Sequence, residues 1–118
     1  MKKIYIAGPF RGPDAWAINC NVHVAESLIP LIGKAGHIPM CVHSMYRNMQ
    51  GALPDEFWLK ATMEIMEMCD AVFMCEGWRN SVGSVCERDR AIELGMPVFE
   101  TLGELFEWMA GQGGGSSG

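Results

Sequence analysis

Tyr5-Ile6-Ala7-Gly8-Pro9-Phe10-Arg11-Gly12 ends a short apolar run and leads into a helical stretch. Residues 3–8 read as a first β-strand, stopped by the Gly-Pro pair. Further on, Asp70-Ala71-Val72-Phe73-Met74-Cys75 follows the same plan. From it, Gly77-Trp78-Arg79-Asn80-Ser81-Val82-Gly83-Ser84-Val85-Cys86-Glu87 runs into another helix. Strands and helices that alternate with short connections predict a parallel sheet with right-handed crossovers. The expected fold is α/β, a flavodoxin-like three-layer sandwich with four or five parallel strands in the order 2-1-3-4. That order sets the turns after strands one and three side by side at the switch point, where open α/β sheets bind ligands.

The segments between fill in the same pattern. Asp14 is placed to cap a helix that runs to Gly33 or Gly36 and buries Ile18, Val22, Ala25, Ile29 and Ile32. Pro30 predicts a kink or an early end within it. Residues 37–42 make a second strand, an edge one because Pro39 cannot donate to a ladder. Residues 43–54 hold no regular element, and a loop of that length is often functional. A helix over 55–69 carries Trp58, Ala61, Ile65 and Met68 at helical spacing. Strand three covers 71–75, a third helix 83–95, strand four 97–100. A last helix, 101–110, turns Leu102, Leu105, Phe106 and Met109 to one side. Residues 1–110 form one domain, and 111–118 (Gly-Gln-Gly-Gly-Gly-Ser-Ser-Gly) are a flexible appended tail by composition.

Composition narrows the function classes. With 49% apolar residues the 118-residue chain is globular, and its net charge of -5 argues against gripping a nucleic-acid backbone. It leaves room for one phosphate held by one arginine and backbone amides. The five cysteines are an odd number without CxxC spacing, so they read as reduced and mostly buried, in a cytoplasmic protein. Neither they nor His23, His37 and His43 fall at ligand spacing, so no metal is expected, and no cofactor. No apolar run is long enough to span a membrane.

The two turns carry the candidate chemistry. Gly8 and Gly12 permit close backbone approach, Pro9 stiffens the turn beside Phe10, and Arg11 offers a two-pronged contact to phosphate or carboxylate. The turn is neither G-x-G-x-x-G nor a phosphate-loop motif. It also lacks the Ser/Thr-rich loop of FMN binders. In the second turn, Ser81 or Ser84 can cap the helix, whose N-terminal amides suit an anion. Glu87 has two readings: part of a capping box with Ser84, or a carboxylate facing the crevice, kept ionised by the helix N-terminus and ready to attack.

Taken together, the Tyr5 to Gly12 start, the Cys69-Asp70-Ala71-Val72 strand and Gly77-Trp78…Ser81-x-Gly83-x-x-x-Glu87 resemble the nucleoside 2-deoxyribosyltransferase-like superfamily, closest to its small bacterial and phage branch. The resemblance covers roughly residues 3–109, and it rests on the joint order and spacing of the motifs, none being specific alone. It implies cleavage of an N-glycosidic bond. The carboxylate of Glu87 attacks the anomeric carbon, Tyr5 orients that carboxylate, and water or a second base resolves the glycosyl-enzyme. Related nucleoside 5′-monophosphate N-glycosidases carry serine where Ser81 stands and use it on the phosphate, whereas transferases acting on free nucleosides carry aspartate. Ser81 and Arg11 therefore point to a phosphorylated ligand. Gly83 belongs to the same binding turn.

One position departs from the family pattern. Many members have an aspartate, acting on the leaving base, where this chain has Thr62; Glu64 and Asp55 are the nearest substitutes. His43, Tyr46 and Arg47 are placed to cover the base, and Trp78 to wall the pocket or to bury itself against the next helix. A non-catalytic nucleotide-binding module is the alternative. A homo-oligomer, dimer or higher, is also implied, with the Trp- and Met-rich helix over 55–69 as its interface.

Overall fold

The computed structural model describes residues 1–49 and 51–112, so residues 113–118 of the expected tail lie outside the described residues. Four parallel strands form one sheet: β1 Lys3–Ala7, β2 Ile38–Met40, β3 Ala71–Met74 and β4 Val98–Phe99. Their order is β2-β1-β3-β4, the flavodoxin-like order. Ile4 pairs with Ala71 and Ala7 with Met74, so the carboxyl ends of β1 and β3 finish level. Among the described residues six α-helices accompany the sheet: α1 Ala15–Glu26, α2 Leu28–Lys34, α3 Val42–Met45, α4 Asp55–Glu67, α5 Val82–Glu93 and α6 Leu102–Ala110.

After Lys3 the central strands are buried because both of their faces are covered. Alternate residues point to opposite sides and build two cores. Ile4, Ile6, Ala71 and Phe73 pack with Ala25 of α1, Leu28 and Ile32 of α2, and Leu105 and Met109 of α6. Tyr5, Ala7, Val72 and Met74 pack with Val42 of α3, Met66 of α4 and Ala91 of α5. Burial raises the Cys69 thiol to about 11 and the Cys75 thiol to about 12, which keeps both protonated and inert. All five cysteines are free, with Cys20 and Cys86 exposed.

Polar bonds pin the base of the sheet. Lys3 N–H donates to Asp70 Oδ2 at 2.7 Å, and the Lys3 ammonium lies 3.7 Å from the same oxygen. The Lys3 amide is the main reason the Asp70 carboxyl titrates below its ordinary range. His37 is fully buried; its Nδ1 accepts from Lys2 N–H at 3.1 Å and its Nε2 lies 3.3 Å from the Met109 carbonyl, to which it donates. That one ring ties the starts of β1 and β2 to the end of α6.

Several sequence expectations need correction. Asp14 caps α1, accepting from Ala17 N–H at 2.9 Å, but the helix breaks at Ser27 rather than Pro30. The Ser27 hydroxyl donates back to the Val24 carbonyl at 2.6 Å, a bond that competes with helix continuation. Pro30 then falls in the first turn of α2, where its missing N–H costs nothing. Ile18 and Ile29 are only half-buried. The supposedly irregular stretch after 43 contains most of α3, a single helical turn too short to show periodicity. Met68, expected inward, is 64% exposed, and Met66 fills the core instead, on the row Trp58, Thr62, Met66. In α6 the inward line is Leu105, Trp108 and Met109, with Trp108 on the Phe99 ring at 5.7 Å, while Leu102 and Phe106 face outward.

Candidate functional site

Beyond the level ends of β1 and β3 the two turns lie against each other. Cys75 N–H donates to the Ala7 carbonyl at 2.7 Å. A Cβ on Gly8 would stand 2.7 Å from the Cys75 Cβ, so only glycine fits there. Gly77 takes φ 87°, the left-handed region that favours glycine, and turns the chain away from β3. Trp78–Asn80 then forms a 3₁₀ turn before α5. Between the turns, α3 and α4 opens a cleft of about 640 Å³, within the range of small-molecule sites.

Tyr5 and Glu87 form its floor. The Tyr5 hydroxyl donates to Glu87 Oε2 at 2.5 Å, joining the middle of β1 to the second turn of α5. Tyr5 is fully buried and Glu87 is 7% exposed, yet both line the cleft. Burial raises the Glu87 carboxyl above its ordinary range; the Tyr5 bond and then the Thr62 hydroxyl pull it back. Burial, followed by the nearby Glu87 charge, lifts the Tyr5 phenol well above its ordinary value. Tyr5 is therefore the donor and the carboxylate the acceptor. Thr62 donates to the Leu59 carbonyl at 3.2 Å and stands beside both groups.

The capping-box reading of Glu87 is overturned here. The cap of α5 is Ser81, whose Oγ accepts from Ser84 N–H at 3.3 Å and from the Ser84 hydroxyl at 3.0 Å. Glu87 lies a turn beyond the cap, bonded to Tyr5 instead. Ser81, Gly83 and the first turn of α5 face the cleft, and there the helix N-terminus favours negative charge. A Cβ on Gly83 would sit 3.1 Å from Leu59 Cδ2 across the α4–α5 contact. At the opposite rim Arg11 Nη1 lies 2.9 Å from Asp55 Oδ2, both side chains more than half exposed. The site thus joins a buried carboxylate to a rim that can take an anion.

The chain belongs to the family described as a domain of unknown function (DUF7768), which matches residues 2–101. No curated protein matches the chain. The DUF7768 match spans the whole sheet, both turns and Glu87.

Within this DUF7768 domain most of the predicted site residues come together. Tyr5, Gly8, Pro9, Phe10, Arg11, Gly12, His43, Ser81, Gly83 and Glu87 all line the cleft. His43 is buried, with Nε2 3.1 Å from both the Gly8 and Pro9 carbonyls and its ring edge-on to Phe10 at 5.9 Å. Burial lowers its pKa, so the neutral ring donates from Nε2 and braces the first turn. Trp78 is not in the cleft. It is buried under the 3₁₀ turn, donates from Nε1 to Glu100 Oε1 at 3.2 Å, and lies between the Arg79 and Arg88 guanidiniums at 4.6 and 5.0 Å. Arg47 also turns away, to pair with Glu26.

The sequence reading missed the apolar wall of Ile18, Val42, Met49, Trp58 and Leu59. Tyr46 joins it, its ring 4.3 Å from that of Trp58. The available signal was spacing: Asp55, Trp58, Leu59 and Thr62 recur at i, i+3, i+4 and i+7 and share one face of α4. Among the described residues, no group of three His, Cys, Asp or Glu side chains is placed to hold a metal ion.

Proposed function

We propose that this domain cleaves the N-glycosidic bond of a nucleoside 5′-monophosphate, as an N-glycosidase or deoxyribosyltransferase, with Glu87 as nucleophile. The observation that carries the reading is the Tyr5–Glu87 pair, a carboxylate held at 2.5 Å by a phenol on the floor of the cleft. The resemblance to the nucleoside 2-deoxyribosyltransferase-like superfamily, carried in part by the same two residues, supports it. In the first step a Glu87 oxygen bonds to the anomeric carbon as the carbon–nitrogen bond breaks, and the base leaves with the electron pair and takes up a proton. Water or a second base then attacks the same carbon and frees the carboxylate. The Tyr5 hydroxyl holds the attacking oxygens in place. Arg11, Ser81 and the α5 N-terminus take the phosphate, and the Tyr46–Trp58 wall packs on the base.

A second reading has its own support. Thr62, a neutral group, stands beside Glu87 where a second acid would assist the leaving base. On that reading Glu87 only grips a sugar hydroxyl and the domain is a nucleotide-binding module. The homo-oligomer implied by the resemblance belongs here too, working in the cytoplasm. Phe57, Leu59, Met49 and Leu53 expose apolar surface on α4 and the segment leading to it.

Base release, followed by chromatography over a panel of ribo- and deoxynucleoside 5′-monophosphates and their free nucleosides, decides between these. Release that needs both the phosphate and Glu87, lost in Glu87→Ala, is the expected result. Release from free nucleosides alone with an acceptor base overturns the phosphate assignment. Tight nucleotide binding without release selects the binding module.

A further inference from the structure

We propose that Asp55 is a built-in competitor of the ligand's phosphate for Arg11, and so sets how strongly the cleft prefers phosphorylated over uncharged ligands. The inference rests on the phosphate reading above and adds a residue that restrains it.

Asp55 and Arg11 come from different elements, the first residue of α4 and the turn after β1. Their side chains meet at 2.9 Å on the rim, where both line the cleft. Among the described residues lining the cleft, Asp55 and Glu87 are the only carboxylates. Glu87 is bonded to Tyr5 on the floor, so Asp55 is the acid that an arriving anion meets. A guanidinium presents its donors in a planar fork that matches phosphate as well as carboxylate, so the two acceptors contend for one fork. The pair is solvated on both sides and therefore weak enough to exchange. A phosphate dianion that takes Arg11 is further attracted by the α5 N-terminus across the cleft.

Asp55 also has somewhere to go. The N-cap of α4 is Pro54, which supplies no side-chain bond to the free amides of the first turn. A carboxylate released from Arg11 is favoured there by the helix dipole. An uncharged nucleoside offers nothing to displace Asp55, so the bridge stays closed across the rim.

The test is isothermal titration of wild type, Asp55→Asn, Asp55→Ser, Arg11→Met and the Arg11→Met/Asp55→Asn double variant. The probes are nucleoside 5′-monophosphates and their free nucleosides. Both Asp55 variants are expected to bind monophosphates about three- to tenfold tighter, with nucleoside affinity unchanged. The gain should vanish in the Arg11→Met background. Unchanged or weaker monophosphate binding in both Asp55 variants overturns the competition and makes Asp55 a support for Arg11. Absence of monophosphate binding in every variant overturns it as well. Base release is scored separately: tighter binding in Asp55→Asn without release from wild type sinks the catalytic reading and keeps the competition, and release without tighter binding does the reverse.

Discussion

At the scale of single residues, the burial of Glu87 comes at the expense of stability. Its carboxyl is raised by burial, so ionising it costs the folded state more than the unfolded chain. Below the carboxyl range both folded and unfolded chains carry the proton and there is no penalty. As pH rises through that range the ionised form costs the native state free energy. Glu87→Gln, whose amide oxygen can still accept from Tyr5, should therefore melt higher at pH 7, by roughly 2–5 °C. The gain should shrink on acidification, and calorimetry across pH reads both features. Tyr5→Phe acts in the opposite sense: it removes the donor that stabilises the carboxylate, so the acid limb of any base-release profile should move to higher pH. At pH 7 the rate should fall about 10- to 100-fold. An unshifted acid limb would show that Glu87 is not the group that must ionise. The meeting of the two turns was legible because a parallel β1–β3 ladder brings them together whatever their separation along the chain, whereas the pairing of Tyr5 with Glu87 was implied by the resemblance alone. The sequence left Trp78 two places, the pocket wall or burial against the next helix, and the structure takes the second, after the left-handed turn at Gly77.

At the scale of elements, the junction of β1 with β3 tolerates far less than the helices around it. Gly8→Ala forces a Cβ against the Cys75 Cβ at 2.7 Å, just past the end of the ladder, where the Cys75 N–H is tied to the Ala7 carbonyl. We expect a loss of about 1–3 kcal/mol by chemical denaturation. Gly33→Ala in α2 meets nothing within 4 Å and should add about 0.5–1 kcal/mol. Similar costs for the two would mean that the strand ends relax freely. Ser81→Ala removes the α5 cap, at about 1 kcal/mol. Element order and type were legible from apolar runs and turn residues. The break at Ser27 and the turn of α3 were not, since each depends on local bonds or on burial against the sheet rather than on a repeating pattern.

For the whole molecule, the exposed apolar side chains of α4 and the segment before it bear on assembly. If copies associate there, Phe57→Lys should turn an oligomer into a monomer by light scattering without changing the circular dichroism of the fold. A wild-type monomer at micromolar concentration would remove the basis for that interface. The order of the four strands was readable from the alternation of apolar runs with helical stretches. The cleft wall was not, because it is assembled from side chains on α1, α3 and α4 that meet only after the sheet has formed.

The His37 ring also bears on where this domain ends. Sequence similarity stops at residue 101, but the ring's Nε2 partner is Met109, and Leu105 and Met109 cover the sheet face formed by Ile4, Ile6 and Phe73. A chain trimmed at 101 would present that face to water as a bare apolar strip and leave a buried imidazole donor unpaired. The folding unit is expected to be longer than the matched stretch, and a chain ending at 101 should aggregate by light scattering rather than fold.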